Sequence, residues 1–286
     1  MRLSAETYVL RKRYGEWKSI EMLKKAGFDS IDYSYYWLPE EDEALGESYR
    51  EYAGKVKEYL EKNNMTCNQA HAPLALKYGA VLDVEDPEYL KLVRSIESAA
   101  ILGAESIIVH ALKVPSEVDL FAYNVAFYKG LEKYCRQFHI CIAIENLFWQ
   151  DKKSNCLRGL FTPEQLNEMI AVLDSPYFVI CVDVGHAAIT GYEPQDMIRQ
   201  FDSKNLKALH IHDNDYYRDR HTLPYTGLLD WGQITQALHD IGYQGDFTLE
   251  IFGYLLKVDD AFMETALDFA AKTGRFLIES IRIGKR

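Results

Sequence analysis

Residues 178–183 read Phe178-Val179-Ile180-Cys181-Val182-Asp183: five apolar residues closed by a carboxylate, with His186 three positions further on. A run this short and this rich in β-branched side chains has the length and composition of a strand buried on both faces. Five more runs end the same way. Met65–Ala70 is followed by His71, Ser106–Val109 by His110, and Ile140–Ile144 by Glu145 and Asn146. Leu206–Leu209 is followed by His210 and Phe247–Leu249 by Glu250. Ser30–Tyr33 and a weaker run within Arg2–Val9 bring the number of expected strands to eight.

Longer amphipathic stretches lie between these runs, over 47–62, 87–102, 117–137, 163–173 and 257–280. Thr162-Pro163-Glu164 has the form of a helix start: a capping hydroxyl, proline at the first helical position and an acid in the first turn. Repeated strand–helix units imply a parallel sheet. Eight of them in 286 residues predict an α/β fold, the (β/α)8 TIM barrel, as one domain over residues 1–286. A doubly wound open sheet is the alternative, but no glycine-rich dinucleotide or phosphate loop follows any run.

Composition narrows the function. Acidic residues outnumber basic ones 43 to 32, a net charge of −11, which disfavours a protein that grips phosphates with Lys and Arg; nucleic acid is not an expected partner. No apolar run approaches the roughly 20 residues of a membrane helix. Met1-Arg2-Leu3-Ser4-Ala5-Glu6-Thr7 has no basic segment leading into an apolar one, so no secretory signal is expected. Five cysteines without a CxxC pair read as a reduced, cytoplasmic chain with neither a disulfide framework nor a thiolate metal site.

In a barrel, the C-terminal ends of the strands converge on one rim, where active sites are built. Acids crowded there repel one another unless something positive stands between them. Three acids and several imidazoles converging on one point is metal-site chemistry. Taken singly, a polar residue after a strand is a loop residue, and a buried histidine is more often hydrogen-bonded core. Six consecutive strands ending in Asp, Glu or His are not explained that way. Of the eight histidines, 71, 110, 186, 210, 212 and 221 follow expected strands; His139 and His239 belong to helices or their ends. A second constellation, His210-Ile211-His212-Asp213-Asn214-Asp215 and Asp219-Arg220-His221, admits two readings. Asp219 and His221 could hold a second metal with His186, or the loop could orient substrate hydroxyls.

Several segments, in order, resemble the xylose isomerase-like TIM barrel superfamily, which holds sugar isomerases and epimerases together with endonuclease IV. They are His71-Ala72-Pro73, Ile144-Glu145-Asn146, Asp183-Val184-Gly185-His186, His210 to Asp215, Asp219-Arg220-His221, Leu229-Asp230-Trp231 and Leu249-Glu250. Lys24-Lys25-Ala26-Gly27-Phe28-Asp29 resembles the family's first helix and its turn into the second strand. The resemblance implies one divalent metal (Mn, Zn, Mg or Co) on Glu145, Asp183, His210 and Glu250, with His212 the alternative to His210. It implies a sugar isomerase or epimerase that moves a proton beside a carbonyl through an enediolate, with Glu145 and Glu250 as the acid/base pair. His186, and Arg220 with it, would steady a substrate oxygen. The substrate would be a small sugar or polyol, and a homo-oligomer is also expected, although no interface residue stands out.

The likeness to endonuclease IV implies a wider set: up to three zinc ions on His71, His110, Glu145, Asp183, His186, His210, Asp219, His221 and Glu250. The alternative activity is then a multi-zinc phosphodiesterase. Against it, Ala72-Pro73-Leu74-Ala75-Leu76 lacks a polar or aromatic DNA-probing character, and no Lys/Arg-rich stretch is expected near the rim. A polyol-ketone dehydratase on the same metal site is a further alternative. Aromatic residues at Asp32-Tyr33-Ser34-Tyr35-Tyr36-Trp37 and Leu147-Phe148-Trp149 suit the C–H faces of a sugar. Trp37 and Trp149, with His212 and Arg220, are therefore the substrate-binding candidates; in a chain with 20 tyrosines, the other reading is that such rings cap the barrel. Asp151-Lys152-Lys153 reads as a solvated charge run. The lack of a glycine-rich phosphate cradle favours an unphosphorylated substrate.

Overall fold

The computed structural model describes residues 1–38, 42–74, 76–151 and 155–284. Ala75, Lys152 and Lys153 lie outside the described residues. The strands are β1 Leu3–Glu6, β2 Ser30–Ser34, β3 Thr66–His71, β4 Ser106–Ile108, β5 Cys141–Glu145, β6 Leu147–Gln150, β7 Leu157–Leu160, β8 Phe178–Asp183, β9 Leu206–His210 and β10 Phe247–Leu249. Eight of them form one parallel sheet in the order β10-β1-β2-β3-β4-β5-β8-β9. The chain's first and last strands pair, Leu3 opposite Phe247. The remaining gap closes through Ile211 and Leu249: the Ile211 amide donates to the Thr248 carbonyl (2.9 Å) and the Glu250 amide to the Ile211 carbonyl (3.0 Å). The fold is a single-domain TIM barrel.

Helices Tyr49–Lys62, Pro87–Leu102, Leu120–Phe138 and Pro163–Leu173 lie within three residues of the amphipathic stretches. The Thr162 start is a full capping box, with Gln165 bonded back to Thr162. The last helix differs. Asp259 caps a separate 3-10 turn, Asp260–Phe262, so the helix runs Met263–Ile283 rather than from 257. Unforeseen too was the antiparallel hairpin of β6 and β7, which stands off the barrel beside the end of β5.

The barrel interior is divided. Small apolar residues (Ile108, Ala143, Val179, Cys181 and Ala208) fill the side formed by β4, β5, β8 and β9. The other side is polar and linked. Ser4 Oγ donates to Asn68 Oδ1 (2.7 Å), Asn68 Nδ2 to Thr248 Oγ1 (3.1 Å), Thr248 Oγ1 to Gln69 Oε1 (3.2 Å) and Gln69 Nε2 to Asp32 Oδ2 (2.9 Å). Linked in this way, buried polar groups avoid the cost of an unmade hydrogen bond. Among the described residues, no helix is long and apolar enough to cross a membrane.

Candidate metal centre

Period-two alternation and the strand ends set the donors. His71, Glu145, Asp183 and His210 are the last residues of β3, β5, β8 and β9, and Glu250 follows β10 directly. All five are buried. His210 Nδ1 lies 3.1 Å from Glu145 Oε1 and 3.4 Å from Glu250 Oε2. The second Glu145 oxygen lies 2.8 Å from His110 Nε2 and 4.0 Å from His71 Nε2. Asp183 caps the short helix Val184–Ile189 by accepting from the His186 amide (2.7 Å), which turns the His186 ring to within 3.2 Å of Glu145 Oε1. Asn146 holds the Asp183 backbone from both sides, accepting from its amide (2.7 Å) and donating to its carbonyl (2.8 Å).

The outer part of the site is carried by the loop after β9. Its clamp is Asp213, a fully buried carboxylate that accepts from the amides of Asn214, Leu229 and Tyr225 and from the Trp231 indole, at 2.8–3.1 Å. So cinched, the loop brings Asp219 to 2.9 Å from His221 Nε2 and 3.4 Å from His186 Nε2. Two glycines make room. A Cβ at Gly253 would overlap the Arg220 carbonyl, and one at Gly185 would overlap the His212 ring. That close approach lets His212 Nε2 reach both Asp183 oxygens, at 2.9 and 3.0 Å.

The result is five overlapping donor sets, the ligand atoms of each within 4.8 Å of one another. They are His71, His110 and Glu145; Glu145, Asp183 and His186; Asp183, His212, His221 and Glu250; His71, His210 and Glu250; and His186, Asp219 and His221. His110 Nε2, Glu145 Oε2, His186 Nδ1, His210 Nε2 and His212 Nδ1 are buried and make no well-formed hydrogen bond. His110 and Glu145 stand 2.8 Å apart and still do not aim at each other. Native structures leave few buried polar atoms unsatisfied, and so many orphaned atoms within one cluster of imidazoles and carboxylates suit a shared cation. The donor set fits a divalent metal.

Electrostatics agree. Burial alone raises the Glu145 carboxyl, but His210 and His110 outweigh it and hold it well below the usual value. Glu250 is likewise held at about 2 against its burial by His210 and His221. The histidines respond in kind. Burial lowers them, yet Glu250 and Asp219 lift His221 to about 10, and neighbouring acids, Asp183 foremost for His186, raise His186 and His210 well above normal. His71 goes the other way, to about 4, through burial and the facing His110 and His210. The carboxylates thus demand positive charge, supplied by imidazole protons where no metal supplies it.

A cavity of about 160 Å³ opens onto these donors, walled by the rings of Tyr36, Trp37 and Phe252. Trp37 is in the left-handed region (φ 55°) with its ring edge-on to Tyr36 and Phe252. The other substrate-binding candidates lie elsewhere. Arg220 turns away to Asp215 (2.6 Å), Trp149 sits on the hairpin beneath Lys113, and His212 is fully buried behind Asp183, stacked on His221. Two buried acids escaped the sequence reading. Glu6 ends β1 and obeys the same strand-end rule, which a sharper boundary for that weak run would have revealed. Asp32 lies mid-strand, where no rule singles it out; its Oδ2 stands 3.6 Å from His210 Nε2.

A model of the xylose isomerase-like TIM barrel family matches residues 20–274. The chain belongs to that family. Among curated proteins it is similar to MJ1311 of Methanocaldococcus jannaschii, 26% identical over 54% of each chain. It is also similar to y4fM of Sinorhizobium fredii, 29% identical over 56% of this chain and 51% of that one. The chain spans about half the length of these two relatives. Solved structures share its fold along nearly the whole chain. A D-tagatose 3-epimerase-like protein superposes with a TM-score of 0.74 at 21% identity, covering 99% of this chain and 98% of that one. A D-psicose 3-epimerase studied in the presence of D-fructose gives 0.71 at 19%, covering 97% and 99%. The IOLI protein, with a bound zinc atom, gives 0.72 at 16%, covering 98% of each.

Proposed function

We propose that the protein is a divalent-metal-dependent sugar isomerase or epimerase. The observation that carries this reading is the placement of Glu145 and Glu250 on strands separated by two others around the barrel, with His210 Nδ1 between them, opening on a small aromatic-walled cavity. Among the described residues, no lysine or arginine lines that cavity, which favours a neutral polyhydroxy substrate over a phosphodiester. The epimerase names of the structural neighbours support the same substrate class.

Glu145, Asp183, His210 and Glu250 would hold the metal. A divalent ion held there would supply Lewis acidity at the substrate carbonyl. The remaining chemistry belongs to the chain. One of Glu145 and Glu250 takes the proton from the carbon beside the carbonyl, and the other delivers a proton to the opposite face. His186 steadies a substrate oxygen, and Tyr36, Trp37 and Phe252 exclude water and stack on the sugar. The Glu250→Gln variant is expected to fold with unchanged circular dichroism and to lose at least about 10³-fold in turnover. A folded Glu250→Gln protein with wild-type turnover would overturn the acid/base pair.

A second reading, a multi-zinc phosphodiesterase, is favoured by one observation: His71, His110 and Glu145 on one flank and His186, Asp219 and His221 on the other each form a complete three-donor set. Elemental analysis of protein purified without added metal separates the two. About one metal per chain supports the epimerase. Two or three zinc ions per chain support the second reading and direct assays to abasic DNA and phosphodiesters.

A further inference from the structure

The interior of a TIM barrel is ordinarily packed with layers of branched apolar side chains. One side of this barrel instead holds a row of hydrogen bonds, and every bond in it runs the same way. Ser4 donates to Asn68, Asn68 to Thr248, Thr248 to Gln69, and Gln69 Nε2 to Asp32 Oδ2. Hydrogen bonds in a row polarise one another, so the row presents its donating end to the Asp32 carboxylate. The backbone bends to build it. Ile31 of β2 stands opposite Cys67 of β3, but Asp32 stands opposite Gln69, so the register passes over Asn68. Regular alternation would send Asn68 and Gln69 to opposite faces; the slip lets both join the row. Irregularities of this kind re-aim side chains beside active sites.

The row ends at His210. Asp32 is buried, and its Oδ2 lies 3.6 Å from His210 Nε2. The ring's other nitrogen, Nδ1, faces Glu145 and Glu250. Neither His210 Nε2 nor Asp32 Oδ1 makes a hydrogen bond. At 3.6 Å the Asp32 contact is slightly longer than a formed bond. An imidazole that ligates a metal through Nδ1 carries its proton on Nε2, and that buried proton requires an acceptor. We propose that Asp32 is a positioning residue of the metal centre: it accepts the Nε2 proton of His210 and so fixes the tautomer and ring plane that present Nδ1 to the metal. The inference rests on the metal reading above. It makes His210 the ligand rather than His212, whose Nε2 is already engaged by both Asp183 oxygens. The polar side of the barrel is then the mount of a single ligand, with Gln69 and Thr248 holding the carboxylate that holds the ring.

The test measures zinc affinity by competition with a chelator, in the wild type and in Asp32→Asn, which keeps the shape of the side chain and removes its charge. The zinc Kd of the variant is expected to weaken about 10–100-fold. A merely structural role predicts the reverse, a lower Tm of the metal-free variant with its zinc Kd unchanged. A folded Asp32→Asn protein with wild-type zinc affinity overturns the inference and leaves the metal reading standing. Cobalt-loaded protein supplies a second readout. Its proton NMR spectrum should contain an imidazole N–H signal, displaced by the paramagnetic ion and slow to exchange in heavy water, that moves in Asp32→Asn. Absence of that signal from the cobalt-loaded wild type overturns the inference without recourse to a variant, so a poorly folded Asp32→Asn does not remove the test. Wild-type protein that binds neither zinc nor cobalt overturns the metal reading and the role of Asp32 with it.

Discussion

Glu6 is the most exposed consequence of putting acids on the strand ends. Burial, with help from Glu250 and Asp32, pushes its carboxyl from an ordinary 4.5 up to about 7, even though Tyr8, Ser34 and Tyr36 all donate to its Oε2. A carboxyl whose pKa is raised by folding contributes nothing unfavourable below pH 4.5. As pH climbs through about 7, the unfolded chain ionises freely while the fold resists, and stability falls. On metal-free protein, urea denaturation should show the wild type losing about 3 kcal/mol more than Glu6→Gln between pH 4.5 and 8. Parallel pH profiles for the two proteins would remove Glu6 as the cause. The histidines carry the opposite sign. Of the imidazoles raised by their neighbours, His210 is the proposed ligand, and it must give up a proton to coordinate a metal. Metal loading at pH 7 should therefore release protons, read as binding heats that change with the ionisation enthalpy of the buffer.

The loop from Asp213 to Trp231 is the element on which the outer donors depend. Asp219 and His221 belong to no strand; the loop that carries them is held by four hydrogen bonds converging on the Asp213 carboxylate and by the backbone bridge of Asp213 to Thr222. Asp213→Ala strands four donors and should cost about 3 kcal/mol or more, with proteolysis appearing within 214–230. If the variant keeps wild-type stability and protease resistance, the clamp is not what orders the loop. This element was only partly legible in the sequence. The strands and their terminal Glu, Asp and His residues could be read because a strand buried on both faces has one composition and an abrupt end. His186 could be placed because it follows the strand-ending Asp183 by only three residues. Asp213, by contrast, looked like one acid among several, because its role lies in partners as far as eighteen residues ahead. The hairpin of β6 and β7 was missed because four-residue strands carry too few side chains to show alternation, and Arg220 and Trp149 went elsewhere because nearby charge, Asp215 and Lys113, claimed them.

At the scale of the molecule, three buried carboxylates, Glu145, Asp183 and Glu250, meet at one rim of the barrel. On the proposed reading, a metal at the rim offsets the mutual repulsion of Glu145, Asp183 and Glu250, which imidazole protons alone would otherwise ease. Chelation followed by dialysis should lower Tm by several degrees, and a divalent ion at about a hundred times its Kd should restore about 2.7 kcal/mol of stability. An unchanged Tm across chelation and add-back would mean that the rim gains nothing from the metal.

The pairing of β1 with β10 reaches beyond the finished barrel to its making. Arg2 and Asp246 meet across 244 residues, amide to carboxylate at 2.7 Å and guanidinium to carboxylate at 2.8 Å. On a ribosome adding roughly 5–20 residues per second, the first strand emerges on the order of 10–50 s before its far neighbour exists. Throughout that interval one edge of β1 is an open hydrogen-bonding template, the kind that invites another nascent chain. Ser4, Glu6 and Thr7 interleave polar groups with Leu3 and Ala5 along it, which makes this edge a poor template for a stranger while it waits for Phe247.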